Sequence, residues 1–96
     1  MTPLEKCERD YRAAFFRYLP SQNEAALHDG YQIGRSALKE GLSILDLAQA
    51  HHTVFVEVLS DTQPGGLAEV ATAASEFFLH VLATYDMAQR LSRPVP

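Results

Sequence analysis

Residues 27–52, LHDGYQIGRSALKEGLSILDLAQAHH, constrain the fold more than any other stretch. They read as a helix, a glycine stop at Gly41, a fresh cap at Ser43 and a second apolar helix. Gly30 and Gly34 lie four apart inside the first of these helices. Each costs roughly 1 kcal/mol against alanine in a helix interior. Two such residues, with Ala26 and Ala37 near the same side, predict close approach of a neighbouring helix backbone.

The same punctuation organises the rest. Thr2-Pro3-Leu4-Glu5 is a capping box with proline at the first helical position. Leu4, Cys7, Tyr11, Ala14 or Phe15, and Tyr18 follow on one stripe, and Pro20 is expected to end the helix. Ser21-Gln22-Asn23-Glu24 reads as a second capping box, opening a helix with Leu27, Tyr31, Gly34 and Leu38 on one face. In the third helix Leu45, Ala48, His52, Phe55 and Leu59 form one stripe, and Ile44, Leu47, His51, Val54 and Val58 an adjacent one. That wide arc predicts a central helix with Phe55 in the core. DTQPGG at 61–66 is a loop. The fourth helix carries an inner stripe of Val70, Ala74, Phe77, Val81, Tyr85 and Ala88. Phe78, Leu79, Leu82, Ala83 and Met87 are surplus to it, more than a small four-helix domain buries internally, and this surplus predicts a twofold dimer. The expectation is an all-α domain over 1–92, with antiparallel helices near 3–19, 22–40, 44–60 and 67–92, and a linker or tail at 93–96.

Several functions are excluded by composition and spacing. A net charge of −4 with scattered basic residues offers no coherent positive face for nucleic acid. The N-terminus lacks the apolar run of a signal peptide, and no apolar segment is judged to approach membrane-spanning length. A lone cysteine fits a reducing, cytoplasmic compartment. Glu24 to His28 and Glu76 to His80 are each one residue too long for the Glu-x-x-His of a di-iron bundle. His51 and His52 point about a hundred degrees apart on a helix and do not share an ion easily; His52 is read as a hydrogen-bonded core residue with His51 at its edge. Cys7 sits on an apolar stripe, where an inert thiol is the ordinary outcome. No cofactor, metal site or catalytic group is expected, so the domain is read as non-enzymatic.

Tyr31, the Gly34-Arg35 pair, Ala37-Leu38, GLSILDLAQAHH and FFLHVLATYDMAQR form a further pattern, with Tyr11 to Tyr18 and YLPSQNEAAL before it. From about Tyr11 to Arg90 the chain resembles the N-terminal regulatory domain of RsbU-type phosphatases, which control bacterial stress sigma factors by partner switching. The resemblance implies an all-helical symmetric homodimer that docks an RsbT-like switch kinase and thereby controls a C-terminal serine phosphatase. It places the docking surface at the start of the second helix and the outer face of the fourth. Here those positions hold Asn23, Glu24 and His28, then Leu79 and Ala83; the family pattern favours an aromatic residue where this chain has His28. The alternative is a helical dimerisation or sensor module of another signalling protein, such as a histidine kinase, without an RsbT-like partner.

Overall fold

The computed structural model describes residues 1–92, and within them every regular element is helical. The expected tail at 93–96 lies outside the described residues. Helix α1 spans Pro3–Ser21, α2 Glu24–Lys39, α3 Ile44–Ser60 and α4 Leu67–Ser92, with a 3-10 turn at Pro64–Gly66 before α4.

The caps explain most of these boundaries. Thr2 Oγ1 accepts from the Glu5 N–H at 3.1 Å, while a Glu5 carboxylate oxygen accepts from the Thr2 N–H at 3.3 Å. Ser43 and Asp46 make the same reciprocal pair at the start of α3. At the end of α2, Gly41 adopts φ +80°. Its N–H bonds to the Leu38 carbonyl and that of Leu42 to the Ala37 carbonyl. This is a Schellman closure, with buried Leu42 supplying the apolar residue that follows it.

Two local expectations fail at the α1–α2 junction. Pro20 does not end α1; it sits in the last turn, and the chain turns out at Gln22 in the left-handed region with φ 49°. Proline forfeits its own N–H bond to the carbonyl four residues back, but only Ser21 follows it in the helix, so the rest of the ladder is undisturbed. Ser21 is therefore still helical and cannot cap α2. Asn23 does so instead, its Oδ1 accepting from the Ala26 N–H at 2.9 Å. Glu24 is the first helical residue and not a capping-box partner.

The core is built around Phe77 of α4, which is fully buried. The rings of Tyr11, Phe15 and Tyr18, all from α1, surround it at centroid distances of 5.2, 5.5 and 5.3 Å. All five residues of the expected α1 stripe from Cys7 to Tyr18 are buried, with Leu4 packed at its edge. The α2 face is rotated from expectation. Ala26, Gly30, Ile33, Gly34 and Ala37 are buried, and the larger Leu27, Tyr31 and Leu38 flank the contact. Small residues occupy the seam because α4 comes too close for anything larger. A Cβ on Gly34 would overlap Thr84 Oγ1 and the Val81 carbonyl oxygen, and would lie 2.9 Å from the Tyr85 nitrogen. Gly30 faces Phe77 and Val81 one turn earlier. The two helices thus advance in the same direction.

Helix α3 is not central. It packs on α1 and α4 and has little to do with α2. Only Leu47, Ala50, Val54 and Val58 are buried on it; Phe55 is half-buried, and Leu45 is 77% exposed. The wide apolar arc therefore has a second side without cover. Helix α4 also corrects the judgement about membrane-spanning length. The 29-residue stretch Pro64–Ser92 is long and apolar enough to cross a membrane by length and composition. Its alanines and the run from Phe77 to Ala83 make it so despite His80. In this fold the inner stripe from Ala73 to Tyr85 packs into the core.

Candidate docking surface

The glycine seam between α2 and α4 determines what lies on the outside of that pair. Alongside the seam, from His28 to Arg35 on α2 and from His80 to Ser92 on α4, lies an open groove of about 800 Å³. Tyr31, Ala83, Thr84, Met87, Ala88 and Leu91 give it an apolar floor and wall, and His28, Gln32, Arg35, His80 and Ser92 give it a polar rim. Met87 is 61% and Leu91 85% exposed. Tyr31 and His80 form a cross-helix pair at its centre. The hydroxyl meets Nδ1 at 3.1 Å, with the rings edge to face at 5.4 Å. At the rim the Gln32 amide lies 3.2 Å from His28 Nε2. These contacts hold the wall in shape and leave the apolar floor uncovered.

The sequence-predicted site residues fall into separate groups. His28 and Ala83 both line the groove. Leu79 is 63% exposed on α4, one turn before Ala83 and just beyond the groove end. Leu79, Ala83, Met87 and Leu91 follow one another in four-residue steps, which keeps them near one side of the helix. Asn23 is occupied by local structure. Its carbonyl oxygen caps α2 and its amide donates to Ser21 Oγ at 2.8 Å. Glu24 is exposed in the first turn of α2. Tyr31, Arg35, His80, Met87 and Leu91 were not singled out from the sequence as site residues. Met87 and Leu91 were within reach, since they continue the spacing of Leu79 and Ala83. The Tyr31–His80 pairing is a tertiary fact with no signal along the chain.

Two other polar sites need a physical account. His51, not His52, is the hydrogen-bonded histidine. Its Nδ1 lies 2.8 Å from the Tyr11 hydroxyl, and its ring stacks on Phe78 at 4.1 Å and on Phe55 at 5.5 Å. His52 is exposed. The reversal follows from which α3 stripe meets α1 and α4. Burial, and secondarily the neighbouring His52, lowers the His51 pKa below its ordinary value. The Tyr11 hydroxyl and the stacked Phe55 and Phe78 rings fix the orientation of the His51 ring between α1 and α4. Cys7 lies in a cleft of about 230 Å³ between α1 and α2. The ion pairs Lys6–Glu40 at 2.6 Å and Arg17–Asp29 at 2.7 Å strap the two helices together beside it. Burial and nearby carboxylates push its thiol up to about 11, which suppresses the nucleophilic thiolate. Among the described residues, no three metal-ligating side chains converge.

A surface of this kind can bind a protein segment. Comparison with known proteins gives one result. A family model described as the N-terminal domain of phosphoserine phosphatase RsbU matches residues 9–88. No curated protein matches the chain, and no solved structure does. The matched span covers most of the four-helix unit, including α2, α3 and the groove residues of α4 from His80 to Ala88; Leu91 and Ser92 lie beyond it. The chain belongs to the RsbU N-terminal domain family.

Proposed function

We propose that this domain is a non-catalytic interaction and dimerisation unit of a cytoplasmic partner-switching regulator of stress-response sigma factors. Its α2–α4 surface docks an RsbT-like switch kinase and so controls an attached or associated serine phosphatase. The observation that carries the docking reading is the uncovered apolar row Leu79, Ala83, Met87 and Leu91 beside a groove shaped by Tyr31 and His80. Contiguous exposed apolar surface on a small soluble domain marks an interaction site. Membership of a regulatory-domain family supports the same reading.

Self-association is assigned to a different face. Helix α3 lacks cover on one side, where Ile44, Leu45 and Val56 are exposed. A twofold dimer through that side would bury them while leaving α4 open. The two assignments separate experimentally. Leu79→Asp should weaken binding of an RsbT-like protein by at least about 2 kcal/mol, the threshold for a hot spot. It should leave the dimer intact. Leu45→Asp should do the reverse. Calorimetric titration and sedimentation of both variants read the two effects. If Leu79→Asp yields monomers, or binds normally, the division between the faces is wrong.

A further inference from the structure

The groove has a charge character that the chain as a whole does not. The protein is acidic at net −4, with 12 carboxylates against 8 basic side chains. Yet the groove lining contains Arg35 and two histidines and no aspartate or glutamate. Ion pairing sharpens the contrast. Among the described residues, Lys6, Arg9, Arg12, Arg17 and Arg90 each pair with a carboxylate within 3.2 Å. Arg35 and Lys39 have no such partner there. Both lie on the second half of α2, facing the end of α4, where they line a shallow extension of the groove with Leu38, Ala88 and Ser92. Lys39 has a local explanation, since it complements the C-terminal dipole of α2. Arg35 lies a turn earlier and borders the apolar floor directly.

We propose that this groove receives an amphipathic helix of the partner whose polar edge is acidic, with Arg35 and then Lys39 pairing its carboxylates. The proposal rests on the docking reading above and specifies the partner's chemistry. The dimensions suit a helix. Lining residues on α4 run from His80 to Ser92, a rise of about 18 Å at 1.5 Å per residue. That is more than three turns, enough for apolar side chains spaced at i, i+4 and i+7 to reach Ala83, Met87 and Leu91. A guanidinium at the margin of an apolar floor is well suited to a carboxylate, because it can bind both oxygens and is weakly hydrated.

The test uses the whole 96-residue chain and three synthetic 18-residue helical peptides. All three carry the same leucine face, flanked by glutamate, glutamine or lysine. Heteronuclear NMR titration locates binding and calorimetry measures it. The glutamate peptide should shift resonances of Tyr31, Ala83 and Met87 and bind about tenfold tighter than the glutamine peptide. That advantage should shrink with added salt. Arg35→Gln should remove the preference while preserving helicity and oligomeric state. Equal binding of all three peptides, preference for lysine, or no binding in the groove overturns the proposal. So does peptide-induced dissociation of a dimer, which would make a second copy the occupant. Binding of phosphatidylglycerol vesicles through Arg35 without peptide binding overturns it in favour of a lipid surface. An RsbT-like protein titrated in parallel separates the two claims. If Met87→Asp abolishes its binding and Arg35→Gln does not affect it, docking stands and the acidic edge fails. If the acidic peptide binds as expected and the RsbT-like protein does not, the identity of the partner fails.

Discussion

Replacing Gly34 by alanine would test the central contact of the fold with the smallest possible change. In an isolated helix this substitution is favourable by about 1 kcal/mol, because alanine restricts the unfolded chain and propagates helix better. Here the added methyl would enter space held by Thr84 Oγ1, the Val81 carbonyl oxygen and the Tyr85 nitrogen. Thr84 could rotate away, at the loss of its hydrogen bond to the Val81 carbonyl at 3.0 Å. The Val81 and Tyr85 atoms are backbone within α4 and cannot yield locally. Relief requires the two helices to part by about 1 Å, since carbon–oxygen contacts want roughly 3.2 Å or more. Parting them would also loosen Gly30 against Phe77, and with it the aromatic cluster. Overpacking of a close-packed core costs about 1–3 kcal/mol and more where backbone must move, which exceeds the propensity gain. We expect Gly34→Ala to be destabilised by about 2 kcal/mol net, a fall in Tm of about 8–16 °C for a domain of this size. Gly30→Ala should cost less, because its methyl would meet the edge of the Phe77 ring at 3.0 Å and no backbone. Differential scanning calorimetry at one fixed protein concentration checks both, since association shifts Tm by mass action. A Gly34→Ala protein as stable as the parent would refute the claim that α2 and α4 meet backbone to backbone.

Truncation of the two aromatic residues should separate the true core from its edge. Phe77→Ala should cost about 3–5 kcal/mol in urea unfolding. The half-buried Phe55→Ala should cost clearly less, and equal losses would put α3 back at the centre. His51 gives a pH dependence of definite sign. Its folded pKa lies below the ordinary 6.5, so the unfolded chain binds the proton more readily. The stability it contributes is therefore complete above about 6.5 and is lost as the pH falls from there through the lower folded pKa. The drop in Tm between pH 7.5 and pH 5 should be smaller in His51→Gln than in the parent, and an unchanged drop would show that another group governs it.

Legibility along the chain differed by type of information. The α1 stripe from Cys7 to Tyr18 and the stops and starts at Thr2, Gly41 and Ser43 were readable because each depends on residues within a turn of one another. The junction at 20–24 was misread because Ser21 and Asn23 could each serve as cap. Proline also need not end a helix at once, because with one helical residue after it Pro20 costs a single bond of the ladder. His51 and His52 were exchanged because neighbouring positions on an apolar helix look alike until a partner selects one stripe. Of the docking surface, His28 and Ala83 could be named from the family pattern, and Leu79 with them. Tyr31, His80 and Arg35 join that surface only through the pairing of α2 with α4.

By itself, then, the sequence determined the helices, most of their ends, the family and the need for a close helix contact at Gly30 and Gly34. Those properties are local, or rest on the absence of a side chain, and they persist whichever helix comes near. Tertiary structure decided which helix that is, that it runs in the same direction, and which apolar stripes of α3 and α4 remain uncovered. Helical periodicity marks a face as apolar but carries no information about what lies opposite it. Only packing in three dimensions assigns each face to the core, to another copy or to a partner.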